Sequence, residues 1–186
     1  MNENNDLKLE TITLGGGCFW CLDAVFRQIR GVKQVLCGYA GGRDSAPSYA
    51  RVCSGQSDHA EVVQIRFDPQ ETTFSSLLEV FFAIHDPTTR DRQGHDLGPQ
   101  YRSLILARDA GQAEQAHALI ARLDAEHVYP QPVLTQVQLG QEFFPAEAEH
   151  QDYYQRHPQQ GYCQVVIAPK LAELRRQLGP RLQPPI

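Results

Sequence analysis

The stretch ITLGGGCFWCLDAVFRQIRG, residues 12–31, decides how this chain is built. Ile12 and Leu14 lead into three glycines as a short strand, and Phe19, Leu22, Val25, Phe26 and Ile29 then recur at helical spacing until Gly31. The reading is strand, glycine turn, helix, with Cys18 and Cys21 at the turn. Working outward, Val32 to Tyr39 reads as a second strand ended by Gly41-Gly42. Val63, Ile65 and Phe67 alternate with Gln64 and Arg66 as a third, stopped by Asp68-Pro69. Phe74 to Ile84 is an apolar core helix by the spacing of Leu77, Leu78, Phe81 and Phe82. After a polar connection from His85 to Gln100 come a strand at Tyr101 to Ala107 and an Ala-rich helix from Asp109 to about His127. Val133 to Leu139 alternates again, and Pro169 to Leu178 is a terminal amphipathic helix. The order β-α-β-β-α-β predicts an α+β fold, a ferredoxin-like sandwich of an antiparallel sheet with helices on one face, plus a C-terminal extension. With no internal repeat or linker, one catalytic domain is expected over residues 1–186. It has a polar N-terminal tail at 1–10 and a tail region at about 154–186.

The 186 residues are 41% hydrophobic and 21% charged, a composition that excludes the disordered and fibrous classes. A net charge of −5 argues against a general nucleic-acid binder. The start, MNENNDLKLE, lacks the features of a secretory signal, and no stretch approaches the roughly 20 apolar residues that span a bilayer, so a cytoplasmic protein without membrane contact is expected. Five cysteines, an odd number, fit reduced thiols in catalytic or redox use better than a disulfide framework.

GGGCFWCLD admits four chemistries. A phosphate loop would follow its glycines with Lys-Ser/Thr, where this chain has Cys-Phe-Trp. A zinc site needs four ligands; C-x-x-C supplies two, and His59, His85 and His95 are only scattered candidates. A reactive thiol has a physical basis: a cysteine at the first turn of a helix faces unpaired N–H groups and the positive end of the helix dipole, which favour its thiolate. Cys18 stands there, with glycines leaving its sulfur uncrowded. Within the thiol reading, a thioredoxin-like exchanger would use Cys18 and Cys21 as a disulfide pair, whereas a nucleophilic enzyme would use Cys18 with a pocket built from elsewhere.

The segments GGGCFW at 15–20, GYAGG at 38–42, PSY at 47–49, VCSGQSDHAEVV at 52–63, HDPTTRDRQGHDLGPQYRS at 85–103 and EHQDYYQRHPQQGYC at 149–163 resemble the A-type peptide methionine sulfoxide reductases in order and spacing. The resemblance implies reduction of methionine-S-sulfoxide, free or in proteins, to methionine, with no metal or organic cofactor. It makes Cys18 the nucleophile and Glu61 the acid that protonates the departing oxygen. Phe19 and Trp20 become the apolar wall for the S-methyl group, Tyr49 and Tyr101 the hydroxyls that bind the sulfoxide oxygen, and Asp96 a carboxylate that orients the pocket. A Cys18 sulfenic acid would condense with a second thiol, and thioredoxin would reduce the resulting disulfide. Cys163, in the Gly-Tyr-rich tail, is the first choice for that thiol and Cys21 the alternative; Cys37 and Cys53 are expected to be structural. The chain departs from the commonest family pattern at Cys21, Asp23, Asp91 and His95. A monomer is expected, and the segment after Lys170 reads as a solvated helix with a frayed end.

Overall fold

The computed structural model describes residues 8–183. The expected polar tail at 1–10 therefore lies outside the described residues up to position 7, as do positions 184–186. The opening stretch folds as read: strand β1 (Glu10–Gly15), glycine turn, helix α1 (Phe19–Phe26). Then come β2 (Val32–Ala40), a short α2 (Tyr49–Cys53), β3 (Ala60–Phe67) and α3 (Phe74–Ile84). A small hairpin of β4 (Arg92–Gln93) and β5 (Asp96–Leu97) precedes β6 (Leu104–Ala107), α4 (Ala110–Ala125), β7 (Gln136–Leu139) and β8 (Phe143–Pro145). The chain closes through α5 (Tyr153–Arg156), a π-helical turn (Cys163–Ile167) and α6 (Ala168–Leu178).

Helix starts follow from local chemistry. Thr73 and Asp109, ahead of α3 and α4, accept hydrogen bonds from the backbone N–H groups of Ser76 and Gln112, at 3.1 and 2.9 Å. Helix α1 has no such cap from its own N-cap residue, Cys18. Its cap comes from β3, as described below.

Six strands form one sheet in the order β7-β6-β1-β3-β2-β8, so the fold is a mixed sheet with helices. The purely antiparallel sheet expected from sequence needs correction, because β6 and β7 pair in parallel, Leu104 opposite Gln136 through Ala107 opposite Leu139. The cause is the connection: α4 carries the chain back to the end where β6 began, and a crossover of that kind makes its two strands parallel. Antiparallel pairing in the centre places Glu61 of β3 opposite Tyr39 of β2. Phe19, Phe26, Ile65, Phe67, Leu77 and Phe81 are fully buried in the core. The C-terminal segment joins that core. Leu171 and Leu174 are buried, and Ile29 bridges to Leu182, so the solvated, frayed helix expected after Lys170 is not what forms. Its arginines, Arg175 and Arg176, do face solvent.

Candidate active site

The glycines between β1 and α1 permit close approach. At Gly16 an added Cβ would lie 2.9 Å from the ring of Phe81, and Gly17, at φ +92°, would put one 2.7 Å from Gln93. The turn is therefore pressed against α3 and the β4 strand, and Cys18 emerges from it only 8% exposed. Glu61, buried to 1% exposure, accepts the Phe19 N–H through Oε2 at 3.0 Å and so caps α1 from 42 residues away.

This placement sets the protonation of the site. Burial pushes the Glu61 carboxyl up to about 8, against the pull of the Phe19 N–H and with the Asp96 and Cys21 charges adding to the rise. At neutral pH it is mainly a neutral acid. The Cys18 thiol is pushed well above its ordinary value by burial, by the neighbouring Cys21 and by the Glu61 carboxyl. Its neighbour is lowered: Cys21 comes down to about 7 through the adjacent Cys18 thiol, which outweighs its own burial, with Lys170 and Tyr162 assisting. The helix-start argument placed the stabilised thiolate on Cys18. In the fold, burial and the Glu61 carboxyl work against a Cys18 thiolate, and Cys21 is the thiol that is lowered.

Around this pair stands an aromatic cluster. Phe19 is fully buried, 5.8 Å from Tyr39 and 6.3 Å from Tyr49 between ring centres. Trp20 stacks on Tyr153 at 3.8 Å with the ring planes 6° apart. Tyr49, the first residue of α2, donates its backbone N–H to Glu147 at 3.2 Å. Its phenol is pushed up by burial and by the charges of Cys53, Glu61 and Cys18. Tyr101 is likewise raised by burial, Glu61 and Cys18, and its carbonyl accepts the Gly17 N–H at 3.2 Å. The structure thus brings Cys18, Cys21, Phe19, Trp20, Glu61, Tyr49 and Tyr101 together, with Asp96 in electrostatic reach of Glu61. Cys163 is fully buried in the π-helical turn, where the Cys21 charge helps burial raise its thiol.

Four site neighbours were not singled out by sequence reasoning. Tyr162 donates its hydroxyl to Asp96 Oδ2 at 2.7 Å and lies 3.6 Å from Cys21 Sγ. His150 packs on Tyr49 at 4.1 Å, Glu147 holds the start of α2, and Lys170 lines a cavity of about 670 Å³ with Cys18, Cys21, Asp96 and Tyr162. All four lie between residues 147 and 170, and the first three belong to or border the EHQDYYQRHPQQGYC match. Among the described residues, Glu147, Glu149 and His150 hold metal-type ligand atoms within 4.8 Å of one another. Two of the three zinc candidates from sequence are otherwise engaged, His59 with the backbone of Gly42 and Asp44 and His85 with that of Phe81 and the Ser103 hydroxyl, while His95 lines the cavity.

Two thiols one helical turn apart, a neutral carboxyl at the same helix start and a wall of aromatic rings define a cysteine-dependent oxidoreductase with its own proton donor. The pattern of the family described as peptide methionine sulfoxide reductase matches residues 10–181, and the chain belongs to that family. It is 52% identical to the peptide methionine sulfoxide reductase MsrA of Chromobacterium violaceum, over 94% of this chain and 99% of that one. Among solved structures it is similar to reduced Mxr1 from Saccharomyces cerevisiae, at 33% identity and a TM-score of 0.76, covering 87% of this chain and 92% of that one. The yeast protein in complex with Trx2 shares the fold at 24% identity and a TM-score of 0.55, covering 82% and 90%. Among the described residues, no helix is long and apolar enough to cross a membrane.

Proposed function

We propose that the chain reduces methionine-S-sulfoxide, free or within proteins, with Cys18 as nucleophile and Glu61 as acid. The observation that carries this is the single hydrogen bond from the Phe19 N–H to Glu61, which fixes a neutral carboxyl beside the helix-start sulfur. Cys21 takes the Cys18 proton, and the Cys18 sulfur attacks the sulfoxide sulfur. Glu61 gives its proton to the oxygen, the sulfur–oxygen bond of the substrate breaks, and the hydroxide so released adds to the Cys18 sulfur as the bond between the two sulfurs breaks and methionine leaves. Cys18 ends as a sulfenic acid, oxidised by two electrons, and the methionine sulfur is reduced by two. Phe19 and Trp20 would hold the S-methyl group, since ring–sulfur contact is favourable. Tyr49 and Tyr101 would donate to the sulfoxide oxygen, and Asp96 would orient the pocket.

For the thiol that resolves the sulfenic acid, the geometry supports Cys21 ahead of Cys163. Cys21 lies one helical turn from Cys18 and lines the same cavity of about 670 Å³, and it carries the more acidic thiol. A thioredoxin-type dithiol would return the pair to its reduced state. The strand order β6-β1-β3-β2 supports a ferredoxin-like core extended by β7 and β8. A reducing compartment such as the cytoplasm fits five cysteines that are all free.

A Cys18→Ser variant assayed on the separated sulfoxide epimers tests the central assignment. Loss of S-epimer turnover is expected, and turnover at the wild-type rate would refute it.

A further inference from the structure

Closing a Cys18–Cys21 disulfide strips a proton from Cys21, and that proton needs an acceptor. Cys21 Sγ lies 3.6 Å from the Tyr162 hydroxyl, whose own proton is committed to Asp96 Oδ2 at 2.7 Å. A phenol has one proton to donate: beside a Cys21 thiolate it can serve that sulfur, and once Cys21 is a thiol it stays on Asp96 and the phenol oxygen faces Cys21 as an acceptor. The result is a continuous path from thiol to phenol to carboxylate.

We propose that Tyr162 is a catalytic residue of the resolving step, passing the Cys21 proton to Asp96 as Cys21 attacks the Cys18 sulfenic acid. The inference rests on the reading that Cys21 resolves. In the step, the Cys21 sulfur forms a bond to the Cys18 sulfur and the Cys18 S–O bond breaks. Cys21 is oxidised by one electron and the Cys18 sulfur reduced by one. The Cys21 proton moves to the Tyr162 oxygen while the Tyr162 proton moves to Asp96. Glu61, reprotonated from solvent after the first step, protonates the departing hydroxide, which leaves as water.

The surroundings suit this role. Tyr162 is held edge-on to Trp20 at 6.0 Å, at the start of the π-helical turn. Burial and the neighbouring thiols push its phenol up, so it stays neutral and hands one proton on as it takes another. Asp96 lines the cavity of about 670 Å³ that also carries His95, Asp86 and Lys170, through which it can lose the proton to water. Asp96 thereby gains a task beyond orienting the pocket: it is a positioning and proton-accepting group that acts through Tyr162.

The test follows one turnover of the full-length enzyme without reductant, reading methionine release and disulfide closure separately by rapid quench, with dimedone to trap sulfenic acid. In Tyr162→Phe, disulfide closure is expected to slow by on the order of a hundredfold, as loss of general-base assistance does, while methionine release changes by less than about tenfold. Cys18 sulfenic acid then accumulates, and added imidazole, reaching Cys21 through the cavity, restores closure; a purely structural loss would not respond. In Asp96→Asn, where the pocket role of Asp96 slows methionine release too, closure is expected to slow by a further factor of about ten or more relative to release. Closure of the Cys18–Cys21 bond at the wild-type rate in either variant overturns the relay and leaves Cys21 as the resolving thiol. Peptide mapping of the wild-type bond as Cys18–Cys163 overturns both.

Discussion

Replacing Glu61 by Gln separates the cost of the proposed acid from its use. The amide oxygen of the Glu61→Gln side chain can still accept the Phe19 N–H, so α1 keeps its cap. What the variant loses is titration. The folded-state carboxyl sits at about 8 against an ordinary 4.5, because burial penalises its charge. A carboxyl whose value is raised by folding binds its proton more tightly in the native state. Stability from this group is full below about 4.5 and is lost as pH rises toward about 8. At about 1.4 kcal/mol per pH unit, the whole window amounts to on the order of 5 kcal/mol. Urea unfolding of wild type and Glu61→Gln at pH 5, 7 and 9 measures this directly, since other titrating groups are shared and cancel in the difference. The variant is expected to gain stability relative to wild type by several kcal/mol between pH 5 and 9. Its rate of methionine release is expected to fall by about 10²–10⁴, the usual worth of a positioned acid. Two stability profiles that run parallel across that range would refute the argument, because Glu61 would then ionise like any surface carboxylate.

Cys21→Ser should remove the thiolate absorbance at 240 nm that titrates near 7 in the wild type, leaving Cys18 slow to alkylate at pH 8; a retained transition would place the acidic thiol on Cys18. Leu174→Ala, on the buried side of α6, should cost about 2–5 kcal/mol in urea unfolding, as a core truncation does, whereas a change under about 0.5 kcal/mol would make the C-terminal helix peripheral.

Residues 12–31 could be read because their pattern is local: alternation, glycine and a 3.6-residue stripe need no knowledge of neighbours. The pieces that escaped are those too short to carry a period, namely the hairpin of β4 and β5, the strand β8, and helices α2 and α5. The glycine turn shows a subtler limit. Glycines beside a cysteine suggest open space, yet Gly16 and Gly17 are small because Phe81 and Gln93 lie against them. Which neighbour presses on a turn is a tertiary fact. The same holds for Cys18, whose acidity depends on Glu61 from β3 and Cys21 from the next helical turn, and not on the helix start alone. Motif resemblance reached Glu61, Tyr49, Tyr101 and Asp96 where local physics could not, because in isolation each is an ordinary strand or loop residue.

The C-terminal segment changes what the two cysteines of the opening stretch can do. A C-x-x-C at a helix start is by itself close to symmetrical, and burial alone would raise both thiols. Tyr162 and Lys170, contributed from beyond residue 160, act on Cys21, while Glu61 acts on Cys18. One sulfur is thereby kept as a thiol beside an acid, and the other is held at about 7 beside a phenol and an ammonium. That division matches two successive demands: a sulfur that receives oxygen next to a proton donor, and a sulfur that must lose a proton to form the disulfide.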